Sequence, residues 1–213
     1  MQLLNNFIAF LIRGGPAMLA LLVCSVLVVA IIFERVVFLS RQRADAEALV
    51  DAIKKHLNAG DLSGAIAECD RKPTALSQIL KAGLEREPAE TKTDLNDTLA
   101  VAVRKYLRPF EQNLAVIGTI AVIAPFIGLF GTVLGIIRAF DDIALRGNSS
   151  PAIVAAGVSE ALITTAAGLF VAVTAVIFFN YFKNQNRVYR EDAIWAAEEL
   201  ADLLSRRQRV VSG

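Results

Sequence analysis

The sequence predicts an all-α membrane protein, with three transmembrane helices and long helices extending into a cytoplasmic helical domain. Three observations carry this expectation. Pro16–Phe33, Leu114–Ile137 and Ala161–Phe182 are uncharged apolar runs that reach the roughly 18 residues needed to cross a bilayer as a helix. Hydrophobic residues make up 55% of the chain and mean hydropathy is +0.51, far from an ordinary soluble domain. Lys and Arg also cluster on alternate flanks of the runs, which orients them.

Residues 1–15 form the first element. Leu3, Leu4, Phe7, Ile8, Phe10 and Leu11 recur at helical spacing opposite Asn5 and Asn6, the pattern of an amphipathic helix lying in the outer interface. Gly14 and Gly15 break it, and Pro16 suits the first turn of transmembrane helix 1, residues 16–39. That run lacks a basic leader and a small-residue cleavage site, so it reads as a retained anchor. Residues 40–110 form a cytoplasmic helical insert. Ala46, Leu49, Val50, Ile53 and Leu57 share a face; Gly60 ends that helix and Asp61 caps the next. A further amphipathic stretch follows over Thr74–Leu84, then a polar stretch over Glu85–Asp97. From Leu99 to Leu107 the chain is again expected to be helical and to run straight into transmembrane helix 2, residues 111–140. Residues 141–150 make a periplasmic turn. Transmembrane helix 3 spans 151–183, with Ser150 and Pro151 as cap and first helical residue. A helical tail over 184–213 carries an apolar stripe of Ala193, Ala196, Ala197, Leu200, Leu203 and Leu204.

Arg35, Arg41 and Arg43 follow the first run, Arg104, Lys105 and Arg108 precede the second, and Lys183, Arg187 and Arg190 follow the third. The positive-inside rule therefore places the N-terminus and the 141–150 turn outside, with the insert and tail in the cytoplasm.

A net charge of +1 gives no electrostatic footprint for nucleic acid. Cys24 and Cys69 fall in different environments and make no disulfide framework, and the lone His56 has no companion ligands for a metal. There is no phosphate-cradling loop, nucleophile elbow or metal-spaced His/Cys set. The expectation is a protein that is not an enzyme and holds no cofactor.

The candidate site lies in the second and third spans. Glu160 is the one carboxylate in the apolar helix from about Pro151 to Phe182, and an ionisable group within a bilayer marks an ion or substrate path by default. Gly128, Thr132, Gly135 and Ala139 share a face of span two; Ala161, Thr165, Gly168, Ala172 and Ala175 share one of span three. At 1.5 Å per residue Thr165 lies roughly 20 Å from Pro151, and Thr132 about 12–15 Å from Asp141, so the hydroxyls and Glu160 converge in one slab. Gly128, Gly131, Gly135 and Gly168 allow close helix packing, and Pro125 frees a carbonyl, tolerable beside a cavity. Two readings of the threonines stand: hydroxyls bonded back to their own helix, or neutral groups supporting water or a partner's acid. For Glu160 the alternatives are a structural carboxylate and a proton relay.

The segments Gly128-Leu-Phe-Gly-Thr132-Val-Leu-Gly135 and Gly157-Val-Ser-Glu160-Ala-Leu-Ile-Thr-Thr165-Ala-Ala-Gly-Leu169 resemble the ExbB/TolQ/MotA proton-channel family, most closely its ExbB branch. The resemblance extends to the three-span layout, where MotA-type stators carry a fourth. It implies an oligomeric ring in the bacterial inner membrane, a homo-pentamer, around an ExbD-type single-span partner whose membrane aspartate carries the proton. Such a motor energises a TonB-type protein. The resemblance also implies that Thr132 and Thr165 line the pore beside Glu160. Ala156 stands where close relatives have proline. Alternatives are a TolQ-like motor for envelope integrity and a passive membrane scaffold.

Overall fold

The computed structural model describes residues 15–86, 92–146 and 151–211. The amphipathic helix expected over 1–15 lies outside the described residues apart from Gly15, and so does the expected cap Ser150. Among the described residues seven α-helices follow one another: α1 Gly15–Gln42, α2 Ala46–Asn58, α3 Leu62–Arg71, α4 Ala75–Leu84, α5 Lys92–Leu107, α6 Leu114–Arg146 and α7 Pro151–Val211. A 3₁₀ turn, Arg108–Glu111, separates α5 from α6. No strand occurs among the described residues. Among the described residues, three of the helices contain stretches long and apolar enough to cross a membrane. The all-α membrane architecture read from the sequence is therefore the one observed.

The chain divides into two compact units. The first holds the residues up to Glu34 together with Asn113–Phe182, and the second holds Arg35–Gln112 and the residues from Lys183 onward. In the first unit α1, α6 and α7 leave large side chains such as Phe33, Phe126, Phe130 and Phe170 exposed. Around a soluble protein such exposure would be a liability; in lipid it has no cost.

The second unit has a conventional core. Val50, Ile53, Leu57, Ile79, Leu80, Leu84, Leu99, Leu200 and Leu204 are buried together in it. Local capping sets its short helices. Asp45 accepts from the Ala48 N–H, and Asp61 from the Gly64 N–H, after Gly60 turns the chain at φ +79. The start of α4 is held from three directions. Thr74 and Ser77 form a capping box, the Gln42 side chain accepts from the Ala75 N–H, and the Tyr189 hydroxyl accepts from the Leu76 N–H.

Phe110 gathers the part of this unit next to the start of α6. Its ring stacks on Tyr189 at 4.5 Å between centroids and meets Phe38 edge-on at 5.0 Å. Its carbonyl accepts from the Asn186 amide at 2.6 Å and from Arg35, which also donates to the Pro109 carbonyl at 2.8 Å. Arg35 is 2% exposed, and its guanidinium adds a donor to the Pro109 carbonyl, which also accepts from the Gln112 N–H at 3.4 Å, and to the Phe110 carbonyl, which also accepts from Asn186.

Three boundaries differ from the sequence expectation. The helix over Leu99–Leu107 does not run straight into span two. Pro109 lacks an N–H, the chain turns through the 3₁₀ segment, and Asn113 takes φ 61 before α6 begins at Leu114. The polar stretch is helical from Lys92, because α5 packs on α4 and buries Leu95 and Leu99. At its other end α6 continues to Arg146, into the segment assigned to the 141–150 turn.

Cys69 is fully buried, and loss of hydration pushes its thiol up to about 12. In a Cys24→Ser background, a thiol-alkylating reagent at about pH 8 should therefore leave the native chain unlabelled and label it on denaturation. Rapid labelling of the native chain would show that the core of the second unit is not closed.

Candidate functional site

Helices α6 and α7 pack antiparallel along a seam of small residues in the first unit. A methyl group built on Gly168 would stand 2.6 Å from the Ala124 carbonyl oxygen and 3.0 Å from Gly128 Cα. One on Gly128 would meet the Thr164 carbonyl and Thr165 Cα, each at 3.1 Å. Further along, Gly135 faces Ala161 and Gly157 faces Ala139, with Cβ separations of 2.7 and 2.6 Å for an added methyl. At Gly128 and Gly168 the obstacle is backbone, which cannot swing aside. Gly131 belongs to a neighbouring line, packed against the Thr164 side chain and Ala17 of α1. The predicted packing glycines Gly128, Gly131, Gly135 and Gly168 are thus all at helix contacts, the expected way to bring helices together in lipid.

The close approach determines where the hydroxyls go. Thr119 and Thr174 donate back to carbonyls four residues earlier, Ala115 and Phe170. Thr165 instead donates across the seam to the Gly128 carbonyl at 3.0 Å. Thr132 donates to the Leu129 carbonyl at 2.6 Å. The two predicted threonines therefore terminate on consecutive carbonyls of α6. Thr132 is 8% exposed and Thr165 half-buried.

A threonine hydroxyl has one proton to give and two lone pairs. With both protons directed to backbone carbonyls, what the pair can offer a third party is acceptor capacity. Of the two readings the sequence left open, Thr132 bonds back to its own helix and Thr165 does not. The arrangement suits a neutral proton donor, such as water or a protonated carboxyl, and disfavours a bare carboxylate.

Glu160 belongs to α7, one turn before Thr164; its side chain lies outside the described residues. Pro125 is inside α6, where it cannot donate to the Ala121 carbonyl. A groove of about 690 Å³ opens on the same hairpin, lined by Gly118, Thr119, Val122, Val176, Phe179 and Asn180, and includes neither Thr132 nor Thr165. No metal-binding cluster occurs among the described residues.

Two residues carry more than the sequence suggested. Thr164 is only 1% exposed and fills the space at Gly131; its helical offset from Gly168 was the available signal. Arg138 packs against Gly15, whose φ of +62 starts α1. Its position near the end of an apolar run marked it as a charge needing company.

A model of the MotA/TolQ/ExbB proton channel family matches residues 71–193, which include the whole threonine seam. The chain belongs to this family. It is 32% identical over 163 residues to the biopolymer transport protein ExbB of Neisseria gonorrhoeae, covering 70% of this chain and 74% of that one. It is 34% identical over 186 residues to the ExbB protein of Salmonella typhimurium, covering 81% and 74%. The Tol-Pal system protein TolQ of Pseudomonas aeruginosa is 31% identical over 204 residues, covering 89% and 87%. The family membership and the apolar helices make this a membrane protein of the proton channel class.

The seam makes a packing prediction. Gly168→Ala sets a methyl against the Ala124 carbonyl, an overpacking that costs about 1–3 kcal/mol. The thermal midpoint of the purified protein in detergent should fall. An unchanged midpoint would mean the helices are not in backbone contact there.

Proposed function

We propose that this chain is an ExbB-like subunit of an inner-membrane motor that couples proton motive force to TonB-dependent outer-membrane transport. Its copies form a ring, a pentamer, around an ExbD-type single-span partner whose membrane aspartate carries the proton, with the N-terminus periplasmic and the tail cytoplasmic. The observation that carries this reading is the threonine pair anchored on consecutive carbonyls, Thr165 on Gly128 and Thr132 on Leu129. A hydrogen bond accepted from a protonated acid stabilises its neutral form and raises its pKa. The hairpin would hold the partner's aspartate protonated beside the threonines and release the proton when relative motion carries the acid away. Each proton crossing the field supplies about 2.3 kcal/mol per 100 mV. No bond to carbon or phosphorus is made or broken, so the role is not enzymatic and needs no cofactor.

A TolQ-like role in envelope integrity is the second reading. It is supported by the TolQ relative, which aligns over 89% of this chain against 70% for the Neisseria ExbB protein. Growth on iron-siderophore and survival in detergent separate the two in a deletion strain.

Thr132→Val and Thr165→Val keep side-chain volume and remove the acceptors. Each should abolish energy-dependent uptake while the complex still assembles at normal abundance, and should lower the pH at which the partner's acid is half-protonated. Full activity in both variants would refute the pore assignment. Glu160→Gln tests the remaining carboxylate: loss of proton-driven activity in an assembled complex assigns it to relay, and retained activity assigns it to structure.

A further inference from the structure

The groove beside Pro125 holds three polar groups in an apolar wall, and the chain itself leaves them short of partners. Pro125 has no N–H to give the Ala121 carbonyl, and Ala121 lines the groove. Asn180 lines it from α7 and is exposed, and among the described residues its side-chain amide makes no hydrogen bond. Thr119 commits its one proton to the Ala115 carbonyl at 2.8 Å, so its oxygen can only accept. Phe179 brings α7 against α6 at this level, where a methyl on Gly118 would stand 3.0 Å from the ring.

These groups lie at membrane depth. At 1.5 Å per residue Ala121 stands about 10 Å along α6 from its start at Leu114. Asn180 comes three residues before Lys183, the first charged residue after the third apolar run. An open carbonyl and an open amide are costly in hydrocarbon, and an acyl chain in the groove would satisfy neither. Water satisfies all three groups: it donates to the Ala121 carbonyl and the Thr119 oxygen and accepts from the Asn180 amide. The groove, about 690 Å³, far exceeds the roughly 30 Å³ that one water occupies, and three polar partners match what a bound water commonly has.

We infer that this groove is a water-filled vestibule, with Asn180 at its mouth and the Ala121 carbonyl at its inner end. Its ligand is a short chain of water. Ala121 and Gly128 are seven residues apart on α6, two helical turns or about 10 Å, so the vestibule ends that far from the carbonyl that Thr165 bonds. Between the two, Gly168 sits against the Ala124 carbonyl without room for a methyl, and the helices leave no space for water along that line. A proton given up near Thr165 thus has a polar destination on this side, reached by movement of the group that carries it. The proton's part in this rests on the proposed function; the hydration does not.

The test uses the full-length Cys24→Ser chain in phospholipid nanodiscs, which expose both membrane faces, and a charged thiol reagent that needs a hydrated thiolate. Val122→Cys and Val176→Cys each place a thiol in the groove. Val173→Cys, 58% exposed and one turn from Val176, places one outside it, and the parent chain gives the background. Both groove thiols should label at least about tenfold faster than Val173→Cys. Pro125→Ala restores an N–H for the Ala121 carbonyl and Asn180→Leu removes the amide; each should slow labelling of Val122→Cys, and Asn180→Gln should not. A groove thiol that labels no faster than Val173→Cys overturns the vestibule, and so does labelling that neither Pro125→Ala nor Asn180→Leu changes. Proton flux with the single-span partner is read separately, and Asn180→Leu should lower it where Asn180→Gln does not. Fast groove labelling in a complex that passes no protons defeats the motor reading alone, and wild-type flux with unlabelled groove thiols defeats the vestibule alone.

Discussion

Backbone contact between Gly128 of α6 and Gly168 of α7 is the constraint on which the rest of the hairpin depends. Lipid offers no hydrophobic drive to bring two apolar helices together, so they must gain by dispersion contacts and interhelical hydrogen bonds. Both fall steeply with separation. Side chains of ordinary size at these positions would hold the helices apart, and Thr165 would bond back to its own helix as Thr119 and Thr174 do. The glycines let it reach the Gly128 carbonyl instead. The placement of the hydroxyls follows from the packing.

The second unit solves a different problem, because it closes a core from short helices and every buried backbone group at their ends must find a partner. Its solution draws on distant parts of the chain. The N-terminus of α4 is completed by Gln42 from the end of α1 and by Tyr189 from α7. Burial raises the Tyr189 phenol above its usual range, with the Leu76 N–H partly offsetting that shift. Where α5 stops, the Phe110 carbonyl is taken up by Arg35 and Asn186, and the Pro109 carbonyl by Arg35 and the Gln112 N–H. Removing the Gln42 or Tyr189 acceptor would leave an N–H at the start of α4 without its partner, which costs about 1–3 kcal/mol.

Local features were legible in the sequence. Apolar run length gave the three membrane-length helices, and the cap at Asp61 was legible because its partner is three residues away; the caps at Asp45 and Thr74 have the same spacing and were not read. Helical periodicity gave the Ala193–Leu204 stripe, whose members pack in the core of the second unit. Partners distant in sequence were not legible. Nothing in the spacing says that Thr165 bonds a carbonyl 37 residues back, or that Arg35 reaches one 74 residues on. The break before α6 was visible in Pro109 and Asn113, but the helical pattern on both sides masked it. Motif reading placed Thr132 and Thr165 in one site without showing that their protons are already committed.

The central claim is that this hairpin presents hydroxyl acceptors to a proton-bearing group. Proton flux into liposomes containing the chain and its single-span partner tests it most directly, with Thr165→Ser compared against Thr165→Cys and Thr165→Ala. Serine restores an oxygen acceptor and should conduct within about threefold of wild type. Cysteine and alanine should lose about tenfold, the equivalent of one hydrogen bond of roughly 1.4 kcal/mol. Equal flux through serine, cysteine and alanine would contradict the account.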